Sequence, residues 1–129
     1  MLFHIDPDNG LAIYDQIVRQ VKFAVAGGAL KSGELIPSVR ELAKELLINP
    51  NTIARAYRQL QQDRVLEAVR GTGLEVASGA AERCRSERIK LIRARLRQVL
   101  AEARQSRLDA RELRELVERE LSAIEDQGS

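Results

Sequence analysis

A chain of 129 residues that is 44% apolar and 31% charged, with 21 basic against 19 acidic residues, suits one ordinary domain or a small domain with a helical appendage, and is globular rather than disordered. One cysteine excludes an internal disulfide, and no apolar run approaches the ~20 residues of a membrane span. The N-terminus MLFHIDPDNG is not a signal peptide, so no membrane association and a cytoplasmic location are expected, while the net charge of +2 says little as a sum.

In chain order, Leu2-Phe3-His4-Ile5 is a short apolar stretch closed by the turn-forming cluster Asp6-Pro7-Asp8-Asn9-Gly10. Ile13, Ile17, Val21 and Val25 then recur every four residues, with Tyr14, Val18 and Ala24 beside them, which predicts an amphipathic helix. Gly27-Gly28 stops it, because glycine accepts the left-handed conformation that ends helices. Residues 29–37 form a connector containing Gly33 and Pro37. Ser38-Val39-Arg40-Glu41 has the form of a capping box, so a second helix starts near Val39, with Leu42, Ala43, Leu46 and Leu47 as its apolar side. Asn49 suits an N-cap and Pro50 the first helical position. The third helix then runs from Pro50 to about Asp63, with Ile53, Ala56, Tyr57 and Leu60 facing inward.

Val65-Leu66-Glu67-Ala68-Val69 alternates as a half-buried strand does, and Leu74-Glu75-Val76-Ala77 follows the turn Arg70-Gly71-Thr72-Gly73, which predicts a β-hairpin. Beyond Ser78-Gly79, Ile89, Ile92, Leu96, Val99 and Ala103 lie three and four apart in a coiled-coil-like seam. Asp109, as N-cap with Glu112 three residues on, restarts a helix striped with Leu113, Leu116, Val117, Leu121 and Ile124, and the last residues are expected to fray.

The charge is unevenly distributed. Residues 1–78 carry nine basic and nine acidic residues. Residues 82–107 carry nine basic residues (Arg83, Arg85, Arg88, Lys90, Arg93, Arg95, Arg97, Arg104 and Arg107) against three acids, and residues 108–129 three against seven. A basic segment followed by an acidic one fits two helices that attract each other, within a chain or between copies; two solvated faces is the plainer alternative.

Helix, capped helix, short turn, Asn-capped helix and hairpin is the order of a winged helix-turn-helix, giving a mainly α fold with a small β-hairpin (α+β). Its second capped helix would enter the major groove of double-stranded DNA with its N-terminal side chains at the base edges. Asn49, Asn51, Thr52 and Arg55 are the candidates there: Asn pairs with adenine, Thr offers a hydroxyl or methyl, and Arg pairs with guanine or phosphate. Residues 46–62 contain no acid but do contain Arg55 and Arg58, a local footprint that suits DNA. The helix N-terminus adds positive dipole toward phosphate. Each residue alone has a plain structural role: Asn49 as a cap, Arg40 in a surface ion pair, Arg70 in a turn. The joint pattern is more specific than any member.

These residues also carry a family resemblance. Residues Gly33 to Ala43 (GELIPSVRELA) and Ile48 to Tyr57 (INPNTIARAY) resemble the GntR family of bacterial transcription regulators, and Asn49-Pro50-Asn51-Thr52 with Ile13-Tyr14-Asp15-Gln16-Ile17 resembles its YtrA subfamily most. The resemblance covers residues 3–77, and the short remainder is similar to the helical dimerisation unit of that subfamily. It implies a winged domain over 1–78 and a two-helix dimerisation domain over 79–129. It also implies DNA contacts from Ser38 and Arg40 of the Pro-Ser-Val-Arg motif, from Asn49, Asn51 and Thr52, and from the wing-tip pair Arg70 and Gly71, with Arg55 and Arg58 beside them. Dimerisation would fall to Ile89, Ile92, Leu96, Val99, Leu113, Leu116 and Leu121. A homodimer on an inverted-repeat operator, acting as a repressor on transporter genes, is the implied function. The large effector-binding or aminotransferase-like domains of other GntR branches are not expected in a remainder of this length.

Three positions depart from the family pattern. Asp63-Arg64 stands where a Gly usually ends the recognition helix, Glu75 where the second wing strand often has an aromatic, and Ala12 where a Pro commonly precedes Ile-Tyr. They bear on wing geometry and not on the reading residues. A protein-interaction adaptor is the alternative of another class, and an enzyme the poorest. His4 is the only histidine, Cys84 has no paired base nearby, and there is no phosphate loop, metal-ligand cluster or Ser-His-Asp set. No cofactor or metal is expected, and no constellation identifies a small-molecule effector.

Overall fold

The computed structural model describes residues 3–71 and 73–128; Leu2 of the predicted apolar stretch and Thr72 of the predicted turn lie outside them. Among the described residues, five helices and two strands follow in the order α1 (Ile13–Ala26), α2 (Val39–Leu46), α3 (Pro50–Gln62), β1 (Leu66–Val69), β2 (Gly73–Val76), α4 (Ala80–Gln105) and α5 (Ala110–Gly128). The mainly α architecture with one small antiparallel hairpin is the expected one. The chain divides into two compact units between Ile89 and Lys90. That division falls inside α4 and not at Ser78-Gly79, because Ala80 and Cys84 of the first turns of α4 are buried in the core of the first unit.

That core is built from the predicted stripes. Ile17, Val21 and Val25 of α1 meet Ile53, Ala56, Tyr57 and Leu60 of α3, with Leu42 and Ala43 of α2 and Val65, Leu66 and Val76 of the hairpin closing the remaining sides. Burying a side chain of this size contributes roughly 1.5–3 kcal/mol, so the convergence of three helices and a hairpin on one centre is the main stabilising feature. The helix starts follow the sequence. Ser38 Oγ accepts from the Glu41 N–H at 3.1 Å while the Ser38 N–H donates to Glu41 Oε1 at 3.2 Å, completing the capping box. Asn49 Oδ1 accepts from the Asn51 N–H at 2.9 Å, with Pro50 at the first position of α3.

The helix ends depart from expectation. Leu47 was expected on the apolar side of α2, yet it is 91% exposed. The cause is its backbone: Leu47 is the C-cap of α2 with φ 56 and ψ 46, the left-handed region, which swings the side chain off the helix face. The Ile48 N–H then donates to the Ala43 carbonyl at 3.0 Å. Arg64 ends α3 in the same way with φ 58, and the Val65 N–H donates to the Leu60 carbonyl at 2.9 Å. The missing Gly is therefore replaced by an Arg in a conformation that costs L-residues roughly 1–2 kcal/mol.

Two tertiary connections lie where the sequence pattern is silent. In the connector, Leu35 bridges to Glu75, the Ile36 N–H donates to the Leu74 carbonyl at 3.0 Å and the Val76 N–H to the Glu34 carbonyl at 2.9 Å, so the segment before α2 lines the free edge of β2. Before α1, Gln16 and Gln20 act as surrogate backbone. Gln16 Oε1 accepts from the Asp6 N–H at 2.9 Å and its Nε2 donates to the Asp6 carbonyl at 2.8 Å. Gln20 pairs in the same way with His4, which holds Phe3 in the core.

The second unit contains the rest of α4 and α5. Arg107 ends α4 with φ 67, the Leu108 N–H donates to the Ala103 carbonyl at 3.1 Å, and Asp109 Oδ1 accepts from the Glu112 N–H at 2.8 Å to start α5. Among the described residues of this unit, Ala103 alone is fully buried, and α5 buries none.

Candidate DNA interface

Fixing one face of α3 in the core fixes what the other face presents. At about 100° per residue, Asn51, Arg55, Arg58 and Gln62 fall opposite Ile53, Ala56, Tyr57 and Leu60, at spacings of four, three and four. All four outward residues are exposed. Three of them were candidates from the sequence. Gln62 was not, although projecting the helix from its buried face would have found it.

The other candidates take distinct places. Arg40 is exposed in the first turn of α2. Ser38 is exposed, but its hydroxyl and its N–H are both engaged in the capping box. Asn49 is exposed with its side-chain oxygen held by the Asn51 N–H, and Thr52 is half-buried. In the hairpin, Leu66 pairs with Val76, Glu67 with Glu75, Ala68 with Leu74 and Val69 with Gly73, which puts Arg70 and Gly71 at the tip. Gly71 has φ +82, a conformation glycine adopts without strain, and Arg70 is exposed beside it. Glu75, where an aromatic would be usual, faces Glu67 directly across the ladder, a like-charge pair that weakens this wing.

Two features hold α3 in place. The Tyr57 hydroxyl donates to the Pro37 carbonyl at 2.8 Å, tying the middle of α3 to the segment before α2. Burial, helped by the charges of Glu41 and Glu45, pushes this phenol well above its ordinary range, so it remains a neutral donor. The second is an ion network that sequence reading missed. Lys22 of α1 is 3% exposed, and its Nζ lies 2.8 Å from Asp63 Oδ2 and 2.8 Å from Glu87 Oε1 of α4. Gln59 Nε2 donates to both oxygens of Asp63 at 3.1 and 3.2 Å. Burial works against the charge on Lys22, but the bonds to Asp63 and Glu87 outweigh it and raise its pKa. Burial likewise opposes the charge on Asp63, and the bonds from Lys22 and Gln59 outweigh it and lower its pKa. A lysine within an apolar stripe carries no period signal, and its partners lie 41 and 65 residues away, so only the fold reveals it.

Burial pushes the Cys84 thiol up, away from the reactive thiolate. Among the described residues no group of His, Cys, Asp and Glu could hold a metal ion, and no helix is long and apolar enough to cross a membrane.

A three-helix core with an Asn-capped third helix and an antiparallel hairpin behind it is a winged helix-turn-helix, the scaffold of DNA-binding regulators. Residues 13–76 match the family described as bacterial regulatory proteins, gntR family. The chain is 33% identical to the HTH-type transcriptional repressor YtrA of Bacillus subtilis, over 95% of its own length and 93% of that protein's. The chain belongs to the GntR family. Among solved structures it is similar to a GntR family transcriptional regulator from Listeria monocytogenes (29% identity, 87% of this chain and 97% of that one, TM-score 0.67). It is also similar to YtrA from Sulfolobus acidocaldarius, a GntR-family transcription factor (27% identity, 95% and 99%, TM-score 0.57). Its relatives are transcription regulators and not enzymes.

Proposed function

We propose that the chain is a homodimeric repressor that binds an inverted-repeat operator. The observation that carries this reading is the outward stripe of α3: Asn51, Arg55, Arg58 and Gln62 form an exposed, acid-free face on a helix whose opposite face is locked in the core. In this reading α3 lies in the major groove. Asn49, Asn51 and Thr52 at the start of α3 read base edges, Arg55 and Arg58 contact a base or phosphate, and Arg40, beside the Ser38 cap of α2, meets the flanking backbone. Arg70 and Gly71 at the wing tip make a further backbone contact. Two such domains read half-sites about 34–36 Å apart when the exposed Ile89, Ile92, Leu96 and Val99 of α4 and the exposed Leu116 and Leu121 of α5, with half-buried Leu113 beside them, pair with those of a second copy. The curated relative that spans both units is named a repressor, which supports repression here. Control of transporter genes is the target suggested by resemblance to the YtrA subfamily.

A gel-shift assay on the DNA upstream of the chain's own gene, at two salt concentrations, tests this reading. A specific band that weakens as salt rises is expected. Asn51→Ala should weaken it by about 1–3 kcal/mol and relax preference at one base position, whereas Arg70→Ala should weaken binding uniformly and flatten the salt slope. Absence of any sequence preference would favour the adaptor reading instead.

A further inference from the structure

Of the two arginines on the outward stripe of α3, one is held and the other is not. The Arg55 guanidinium carbon lies 3.7 Å from the centroid of the Tyr14 ring, a cation–π stack with the first turn of α1. Tyr14 is itself half-buried and packs against the core, so the platform under Arg55 is fixed. A stacked guanidinium uses its π face, and its N–H donors radiate in the plane of the group, away from the ring. Among the described residues no hydrogen bond or ion pair takes those donors. Asp15, the acid beside Tyr14, lies 3.5 Å from Arg19 instead. Residues 46–62 offer no acid that could compete from α3 itself. The result is an exposed arginine on the DNA-facing stripe whose plane is set in advance and whose donor edge is open.

We propose that Tyr14 is a positioning residue for DNA recognition, holding Arg55 flat so that its donor edge meets a pair of acceptor oxygens or nitrogens on the DNA. The acceptors are the O6 and N7 of a guanine or two oxygens of a phosphate, which present the same bidentate chemistry. Fixing the plane of the guanidinium before binding removes rotamer freedom that a loose arginine loses on contact, so the stack contributes affinity without touching DNA. Arg58, one turn further on and without such a platform, serves as the internal comparison. The proposal rests on the DNA-binding reading of α3.

The test is a double-mutant cycle, measured by fluorescence anisotropy on a duplex enriched by the wild-type full-length protein from random sequence. Arg55→Ala should weaken binding about tenfold, and Tyr14→Leu by about 3–10-fold. Tyr14→Phe, which keeps the ring face, should bind as wild type does. The decisive measurement is Tyr14→Leu in the Arg55→Ala background, which should add nothing, whereas Tyr14→Leu with Arg58→Ala should be additive. Loss confined to one base pair assigns the contact to guanine, and a uniform loss with a salt slope reduced by about one assigns it to phosphate; either supports positioning. If Arg55→Ala weakens binding while Tyr14→Leu does not, or if Tyr14→Leu weakens binding equally with and without Arg55, the positioning role is overturned and DNA reading by α3 stands. If Arg55→Ala leaves affinity and slope unchanged, Arg55 is not a DNA contact and the proposal falls with it. Failure to enrich any duplex overturns the functional reading as a whole.

Discussion

The same sequence signal, apolar residues three and four apart, has opposite outcomes in the two units. In the first, the stripes of α1 and α3 are almost wholly buried, because two further helices and a hairpin enclose them. In the second, Ala103 is buried and Leu113 half-buried, but the rest of the stripes of α4 and α5 stay open, with exposures from 40% at Val117 to 63% at Ile124. Periodicity reports that a helix has a face to bury, and the number of elements available decides whether the chain can bury it alone. Two helices cannot enclose both of their own stripes. Open apolar faces of this extent mark association surfaces, which is the physical basis for the proposed dimer.

Placing a charge on an open stripe tests that contrast most severely. Leu96→Asp and Leu116→Asp should each weaken self-association by at least about 100-fold, roughly 3 kcal/mol, since a symmetric interface would bury two copies of the carboxylate. Sedimentation equilibrium reads this directly. The winged unit should keep its own melting transition, because neither residue belongs to its core. A dimer that survives both changes would put the interface elsewhere.

Much of the first unit was legible for a definite reason: its determinants are local. The capping box at Ser38 and Glu41, the Asn49-Pro50 start of α3 and the inward set Ile53, Ala56, Tyr57 and Leu60 each depend on residues within a few positions. What escaped depends on distant partners or on backbone strain. Nothing in residues 33–36 announces that they line the edge of β2, since the pairing is a single bridge made by tertiary contact. Nothing in Gln16 announces that it stands in for a backbone partner of Asp6. Leu47 was misassigned because helical spacing continues through it while the helix does not. The outward residues of α3 are legible only in part, because Gln62, uncharged and at the far end of the helix, is tied to the stripe by the buried face and by no local motif.

Charge divides the units as sharply as apolar burial does. In the second unit Arg111 and Glu115 approach to 3.6 Å with side chains 90% and 57% exposed, a pair that contributes little. In the first, Lys22 is enclosed, and its partners Asp63 and Glu87 keep only part of their hydration. Lys22→Met should therefore destabilise the first unit at neutral pH by about 1–2 kcal/mol, less than for a fully buried pair because both acids can rehydrate. Asp63 has its pKa lowered in the fold, so its contribution is present above its unfolded pKa of about 3.9 and is lost as pH falls through the lower folded value. Lys22 has its pKa raised, so its contribution is present below about 10.4 and is lost as pH rises through the folded value. Urea unfolding at pH 7 and at pH 3 should thus show the gap between wild type and variant narrowing in acid. An unchanged gap would mean that packing of the lysine stem, and not the ion network, is what the substitution removes.

The smallest effect separates two kinds of exposed leucine. Those of α4 and α5 lie on continuous seams, whereas Leu47 is exposed because α2 ends on it in the left-handed region. A leucine there costs roughly 1–2 kcal/mol in backbone strain, and a glycine would cost only its extra unfolded-state entropy, roughly 0.5–1 kcal/mol. With 91% of Leu47 already in solvent, truncation removes almost no packing. Leu47→Gly should accordingly stabilise the first unit by about 0.5–1 kcal/mol in urea unfolding and leave self-association unchanged, the reverse of Leu96→Asp on both counts. If Leu47→Gly instead weakened the dimer, exposure at the end of α2 would belong to the same interface as the seams, and the division between a self-sufficient unit and an associating one would have to be redrawn.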